Sequence, residues 1–257
     1  MDYSLHAGRR LFFVGSYIMR NYEVETTQRI EFIRRIIESA GAAGIVYGNS
    51  GGKDSALVGI LCKMASENTV GLIMPCGSKR NYEIDKNDAE RIAGQYGIST
   101  RLVDLSETRN QMIGAIGPLN DSAIANIAPR LRMTALYAVA ANENRLVAGT
   151  GNRSEGYMGY FTKWGDGAFD FNPIADLTVT EIYEFLSFLK APDFIISKAP
   201  SAGLFDGQTD EGEMGIAYHS IDNFLLNGKA NEQDRSIIEK FHQSSEHKRK
   251  MHMSFGV

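Results

Sequence analysis

The sequence of 257 residues has only two cysteines, Cys62 and Cys76, and they form no CxxC motif. Two cysteines cannot build a disulfide framework or a cysteine-ligated tetrahedral zinc site, so both classes of stabilised domain are excluded. Cys62 falls inside a predicted helix, where a small buried hydrophobic residue is expected. Cys76 follows a predicted strand.

Long apolar runs, a secretion signal and an excess of positive charge are also missing. No apolar stretch approaches the roughly 20 residues of a membrane span. Residues 1–6 have neither the basic region nor the apolar core of a signal peptide. The net charge of −4 argues against nucleic acid as the main partner. We therefore expect a cytoplasmic protein with no membrane and no nucleic-acid partner.

Short apolar runs alternate with helical periodicities, with no internal repeat, low-complexity tract or clear linker. Strands are predicted over residues 44–47, 69–74, 99–105 and 145–150. Helices are predicted over residues 30–40, 56–64, 85–96, 129–141 and 178–189, the last with a capping box of Thr178 and Glu181. Residues 203–215 are predicted to form a loop, followed by a terminal helical region. The alternation predicts an α/β fold, a doubly wound parallel sheet with helices on both faces, in a single domain over residues 1–257.

The most informative stretch follows the first predicted strand and consists of Gly48, Asn49, Ser50, Gly51, Gly52, Lys53, Asp54 and Ser55. A strand, a glycine-rich turn and a helix start aim backbone N–H groups and a positive helix end at one anion. The glycines let the backbone close around phosphate oxygens, Lys53 adds a cation, and Asp54 can hold magnesium. A glycine-rich turn without a ligand is the alternative.

A Walker P-loop is excluded because Tyr47 and Asp54 stand where that motif needs Gly and Ser or Thr. The pattern S-G-G-x-D-S instead resembles the pyrophosphate loop of the ATP pyrophosphatases, which cut ATP between its α- and β-phosphates.

A second carboxylate is expected opposite Asp54. Ligands of doubly wound sheets bind outside the carboxyl ends of the strands, where the strand order reverses. Glu155 lies five residues past Thr150, at the end of the fourth predicted strand, so it can face Asp54 and share one magnesium ion. Taken alone, Glu155 could equally be a surface carboxylate.

Motifs beyond the phosphate loop resemble the NAD synthetase family over about residues 23–251. The matching stretches include residues 126–133, 149–155, 159–167, 198–202 and 208–211. The resemblance implies ATP-dependent amidation of nicotinic acid adenine dinucleotide (deamido-NAD) by ammonia, which gives NAD, AMP and pyrophosphate through an adenylylated carboxylate. It also implies a homodimer, and the reaction requires no nucleophile from the protein.

The resemblance assigns site residues position by position. ATP would be held by Gly48 through Ser55, with Thr150 and Ser201, and magnesium by Asp54 and Glu155. The dinucleotide would be bound by Arg130, Lys163, Asp170, His247 and Lys248. Cations are the expected partners of a pyrophosphate and a nicotinate carboxylate. Arg132 is interpreted instead as a charge on a helix surface, and Asp166 as a turn residue.

Two departures from the family pattern leave alternatives open. Val179 stands where the family often has Lys near ATP, and Pro129 where Ala is common. A different ATP pyrophosphatase, such as a tRNA-modifying sulfur transferase, would need a catalytic cysteine pair or a basic surface, and only Cys76 lends it support. A nucleotide-binding module without activity is a third interpretation, which Val179 slightly favours.

Free ammonia is the expected nitrogen donor. Glutamine-dependent relatives carry an additional amidase domain with a Glu-Lys-Cys constellation, and the resemblance to the synthetase begins near residue 23. Neither cysteine is placed to be an amidase nucleophile.

Overall fold

The computed structural model describes residues 12–14, 17–78, 81–198, 209–250 and 255. A short antiparallel hairpin of β1 (Phe12–Val14) and β2 (Tyr17–Met19) comes first. The centre is a four-stranded parallel sheet of β3 (Gly44–Gly48), β4 (Thr69–Ile73), β5 (Ser99–Leu102) and β6 (Arg145–Ala148). The predicted α/β class is therefore confirmed.

Helices connect and surround these strands. A π-helical turn at Asn81–Asp85 leads directly into the helix that begins at Lys86. The helices of the described residues are α1 (Tyr22–Ala40), α2 (Lys53–Ala65), α3 (Lys86–Gln95), α4 (Ser106–Ile116), α5 (Asp121–Ala125), α6 (Ile127–Glu143), α7 (Arg153–Met158), α8 (Val179–Phe188), α9 (Asp193–Ile196), α10 (Asp210–Met214), α11 (Tyr218–Asn227), α12 (Glu232–Ser244) and α13 (Glu246–Arg249). None of them combines the length and hydrophobicity that a membrane span requires.

The strand order β5-β4-β3-β6 reverses the direction of winding next to β3. The chain runs outward from β3 through β4 to β5, then returns to form β6 on the other side of β3. Tyr47 pairs in register with Ala148, so the carboxyl ends of β3 and β6 lie side by side. This is the position at which doubly wound sheets bind their ligands.

Successive residues of β3 point to opposite faces and divide the core in two. Ile45 and Tyr47 pack with residues of α1, α2, α8 and α9, whereas Val46 packs with residues of β4 and α6. A third apolar cluster joins α7, α8, α11 and α12 around Met158 and Ile221. The central strands β3 and β4 are thus covered on both faces, as the alternation of strands and helices predicts, whereas the edge strand β5 is exposed.

Several boundaries differ from the sequence-based expectation. The third and fourth strands end three and two residues early, at Leu102 and Ala148. The helix expected to begin near Pro129 begins at Ile127, and the first turn tolerates proline because its N–H groups have no intrahelical acceptor. The loop expected over residues 203–215 is wrong for 210–214, where Thr209 caps α10 by accepting a hydrogen bond from the Gly212 N–H.

Candidate active site

A cavity of about 860 Å³ opens at the carboxyl ends of β3 and β6. Most of the predicted ATP and magnesium residues line it: Gly48, Asn49, Ser50, Gly52, Lys53, Asp54, Ser55, Thr150 and Glu155. Ser201 lies outside the described residues. The crevice expected from the strand order is therefore present, and it gathers residues that are separated by about 100 positions in the chain.

The phosphate loop leaves β3 and enters α2 in a tight turn. The Asn49 N–H donates to the Leu72 carbonyl at 2.8 Å, and the Asn49 amide donates to the Ala89 carbonyl at 3.0 Å. Gly51 has a φ of +69°, in the left-handed region that favours glycine. A Cβ at this position would collide with the Asp85 carbonyl oxygen. The loop is thus built on glycine because its backbone packs directly against the π-helical turn.

Lys53 and Asp54 form a buried ion pair at the start of α2. Lys53 Nζ lies 2.7 Å from Asp54 Oδ2, and the lysine side chain is only 5% exposed. Burial opposes its charge, but Asp54 and Glu155 more than offset that effect, so the pKa of Lys53 is raised. The Nζ atom also lies 6.0 and 5.7 Å from the ring centroids of Tyr183 and Tyr218. The ammonium group is therefore held charged inside the cavity wall.

Asn152 links the two predicted magnesium carboxylates. Its amide nitrogen donates to Asp54 Oδ1 at 3.1 Å, and its backbone N–H donates to Glu155 Oε2 at 3.0 Å. Asn152 caps α7 in a capping box with Glu155, whose N–H donates to the Asn152 side chain at 2.9 Å. The cap thus fixes Glu155 beside Asp54.

This carboxylate pair fits a magnesium ion. Burial, followed by repulsion from Asp54, raises the pKa of Glu155 well above its ordinary value. A nearby divalent cation would reverse that effect, because it favours both ionised carboxylates. Among the described residues no group of three or more metal-ligating side chains occurs. Magnesium needs no such cage, since one or two carboxylates and phosphate oxygens suffice.

Three of the predicted dinucleotide cations meet at another part of the site. Lys163 Nζ donates to the His247 carbonyl at 2.5 Å, and Arg130 donates to the Lys163 carbonyl at 3.3 Å. Lys248 Nζ donates to the carbonyls of Gly159 and Phe161, both at 2.8 Å, and lines the cavity. Arg130, Lys163 and His247 lie beside the cavity lining rather than in it.

Asp170 is engaged with the sheet rather than with the cavity. Its Oδ2 accepts a hydrogen bond from the Val147 N–H at 2.7 Å, and its Oδ1 accepts one from the Tyr137 hydroxyl at 3.1 Å. The carboxylate therefore extends the hydrogen bonding of β6, and it is not part of the cavity lining.

Known proteins with similar sequences identify the family of this chain. The sequence model of NAD synthase matches residues 25–252. The NH(3)-dependent NAD(+) synthetase of Carboxydothermus hydrogenoformans is 45% identical over 237 residues, which cover 90% of this chain and 96% of that protein. The chain belongs to the NAD synthase family.

Two solved structures have a similar fold. The NMN synthetase of Francisella tularensis aligns with a TM-score of 0.88 at 33% identity, covering 93% of this chain and all of that one. The NH3-dependent NAD synthetase of Campylobacter jejuni, solved with a nitrate ion, aligns with a TM-score of 0.76 at 30% identity, covering 92% and 100%.

Val179, one of the two departures from the NAD synthase pattern, is the first residue of α8 and is 4% exposed. Its side chain belongs to the apolar cluster around Met158 and Ile221, so it supplies no polar group to the cavity. The buried cation near the two carboxylates in this chain is Lys53.

The cysteines are not placed for sulfur chemistry. Cys62 and Cys76 are both buried, and burial raises the pKa of each thiol. A reactive cysteine requires the thiolate form and access to substrate. The sulfur-transferase alternative therefore loses the one residue that supported it.

Two cations of the site were missed by sequence reasoning. Arg132 is not a surface charge: it lines the cavity, and it donates to the Met74 carbonyl at 3.0 Å and to Asn81 Oδ1 at 3.1 Å. Burial lowers its pKa. Lys198 reaches the phosphate loop, where its Nζ donates to the Gly51 carbonyl at 3.0 Å. Asp166 does form a turn, accepting a hydrogen bond from the Thr162 N–H at 2.9 Å, but it also lines the cavity.

Proposed function

We propose that this chain is an ammonia-dependent NAD synthetase, which uses ATP to convert deamido-NAD into NAD and releases AMP and pyrophosphate. One observation carries the proposal: a phosphate loop and two carboxylates joined through Asn152 line the same cavity as Lys248. Arg130 and Lys163 lie beside that lining. Membership of the NAD synthase family supports the same activity.

The phosphate loop, residues 48–55, binds the β- and γ-phosphates of ATP through backbone N–H groups and the positive end of α2. The hydroxyls of Ser50 and Ser55, 3.1 Å apart, are further donors at the same place. Thr150 and Ser201 complete the ATP site. Asp54 and Glu155 would hold magnesium, which supplies positive charge to the phosphate oxygens.

Arg130, Lys163, His247 and Lys248 bind the anionic dinucleotide; the resemblance assigns Asp170 to the same subsite, although its carboxylate accepts hydrogen bonds from Val147 and Tyr137. Their donors suit a pyrophosphate and a nicotinate carboxylate. The backbone hydrogen bonds that Lys163 and Lys248 now make to residues 247, 250, 159 and 161 hold these chain segments together at the subsite.

The reaction then proceeds in two displacements. A carboxylate oxygen of the substrate attacks the α-phosphorus of ATP, and the bond to pyrophosphate breaks. Ammonia attacks the carbonyl carbon of the resulting mixed anhydride, AMP leaves with its oxygen, and the extra proton passes to solvent. The protein supplies orientation and charge stabilisation rather than a nucleophile, which agrees with a cavity of glycines, hydroxyls and cations.

A second candidate acceptor is the mononucleotide acid. The observation that favours it is the TM-score of 0.88 with the Francisella NMN synthetase, against 0.76 with the Campylobacter NAD synthetase. The chemistry at the carboxylate is the same for both acceptors, since only the second nucleotide differs.

The test is direct. The purified chain is given ATP, magnesium and ammonium with deamido-NAD, with nicotinic acid mononucleotide, or with neither, and pyrophosphate and the amide product are measured. We expect deamido-NAD to give the highest kcat/KM, and ammonia-free glutamine to replace ammonium poorly. Higher kcat/KM with the mononucleotide would make it the substrate. No acceptor-dependent pyrophosphate release would refute both candidates.

The active form is proposed to be a homodimer, as the family resemblance implies, and the cytoplasm is its proposed location. Light scattering of the purified chain should give twice the mass of one chain, and a monomer that retains full activity would contradict this.

A further inference from the structure

Lys198 follows α9 and lines the cavity next to the phosphate loop, where its ammonium group has three hydrogen-bond acceptors. Its Nζ donates to the Gly51 carbonyl at 3.0 Å, to Asp85 Oδ1 at 2.9 Å and to Asp88 Oδ2 at 2.8 Å. The side chain is only 13% exposed. An ammonium group has three N–H donors, so these three bonds leave none for a phosphate. Lys198 therefore does not act as a phosphate ligand in this arrangement.

The bond to Gly51 fixes the direction of one peptide plane. In a planar trans peptide, the carbonyl and the following N–H point in opposite directions. Holding the Gly51 carbonyl on the side of α3 therefore turns the Gly52 N–H the other way. Gly52 lines the cavity and Gly51 does not. The acceptor of the Gly52 N–H is Ser50 Oγ at 3.4 Å, a long contact that a phosphate oxygen can replace.

The carboxylates of Asp85 and Asp88 hold the ammonium group of Lys198 in a fixed position. Asp85 ends the π-helical turn and Asp88 lies in the first turn of α3, and each side chain is 14% exposed. The same turn packs against Gly51 so closely that a Cβ there would collide with the Asp85 carbonyl. Lys198 thus joins the loop, the turn and α3 at one point.

We propose that Lys198 is a positioning residue that orients the Gly51–Gly52 peptide of the phosphate loop toward the phosphates of ATP. The inference rests on the proposed use of ATP and adds a residue that acts through the backbone of the loop. A positioning residue of this kind affects ATP more than the second substrate, because the dinucleotide cations lie elsewhere around the cavity.

Lys198→Met retains the length of the side chain and removes the three bonds. We expect it to weaken binding of magnesium ATP roughly 10- to 100-fold, as a displacement of about 1 Å in a binding group can do. The KM for deamido-NAD should change less than about twofold. Asp88→Asn is the second variant, in case Lys198→Met folds poorly. It keeps the fold but weakens one bond, so a smaller loss of ATP binding is expected.

Lys63→Met and Glu67→Gln are the matched controls. Lys63 forms an ion pair with Glu67 at 2.6 Å, at the far end of α2 and about 15 Å along the helix from Lys53. These variants should bind magnesium ATP like the parent.

Isothermal titration calorimetry of each variant with magnesium ATP, without acceptor, tests the role of Lys198 in ATP binding separately from the full reaction. Parent-like ATP affinity in both Lys198→Met and Asp88→Asn would overturn the proposal, as would equal losses for ATP and deamido-NAD. If the parent protein itself failed to bind magnesium ATP, the proposed function would fail, and the proposed role of Lys198 with it.

Discussion

Replacing Gly51 by Ala tests whether contact with the π-helical turn sets the shape of the phosphate loop. A methyl group at this position would lie well inside 3.0 Å of the Asp85 carbonyl oxygen, and 3.0 Å from the Ala89 nitrogen. The loop and the turn must therefore separate by about 1 Å before ordinary van der Waals distances are restored. The φ of +69° adds a separate penalty, because an L-residue with a side chain is disfavoured there.

Gly41→Ala separates these two effects. Gly41 also has a positive φ, +59°, but no atom lies within 4 Å of its added methyl group. It should lose only the conformational term, about 1 kcal/mol. Gly51→Ala should lose that term and an overpacking term of about 1–3 kcal/mol, or about 2–4 kcal/mol in all. For a chain of this length each kcal/mol lowers Tm by about 2 °C.

Urea unfolding and ATP titration of both variants give the answer. We expect Gly51→Ala to be the less stable variant and to bind magnesium ATP roughly 100-fold more weakly, while Gly41→Ala binds it like the parent. If Gly51→Ala matched Gly41→Ala in both measurements, the close packing of loop and turn would have no part in forming the site.

Three further changes test other parts of the site. Asp54→Asn should raise the magnesium concentration needed for half-maximal activity more than about tenfold, and parent-like activity across a magnesium titration would remove Asp54 from the metal site. Lys163→Ala should raise the KM for deamido-NAD more than that for ATP, whereas the exposed Lys240→Ala should change neither; a larger effect on ATP would reverse the division of the site. Asp176→Asn tests acid stability. Burial opposes ionisation of Asp176, but Arg29 and Arg20 lower its pKa below the ordinary 3.8. Its stabilising contribution is therefore complete above that value and is lost as the pH falls through the lowered pKa. Asp176→Asn should accordingly be less stable at pH 7 and should flatten the fall in free energy of unfolding below pH 4, so an unchanged slope there would contradict the assignment.

Local sequence signals predicted most of the sheet and the phosphate loop. β3 is a short apolar run followed by glycines, and α2 has a clear helical period, so both elements and the loop between them were recognisable. The capping box of α8 was also a local pattern, and the structure confirms it: the Glu181 N–H donates to Thr178 Oγ1, and the Thr178 N–H donates to the Glu181 carboxylate.

Elements without a local signal were missed. α10 has five residues, too few to show a period, and its acidic, glycine-containing sequence is also typical of a loop. The partners of Lys198 lie 147, 113 and 110 residues away in the chain, so no spacing pattern could reveal them. Arg132 differs from a surface arginine only in lying on the side of α6 that faces the cavity. The half-buried apolar residues of α6 lie on several of its sides, so the sequence pattern does not identify that side.

The charges of the cavity explain why ATP and a metal ion should bind together at the carboxyl ends of the strands. Tyr47 of β3 pairs with Ala148 of β6, and each is followed by a glycine, Gly48 or Gly149. Asp54 lies six residues after Gly48, and Glu155 lies six residues after Gly149. The pairing of these two strands therefore brings both carboxylates to one place. Lys53 provides one positive charge for the two, and the pKa of Glu155 is raised because repulsion from Asp54 adds to the effect of burial. A divalent cation would stabilise both carboxylates in their ionised form, and the phosphates of ATP would supply further oxygen ligands. Neither the carboxylate pair nor the triphosphate is electrostatically balanced alone, so metal and nucleotide should bind with positive coupling.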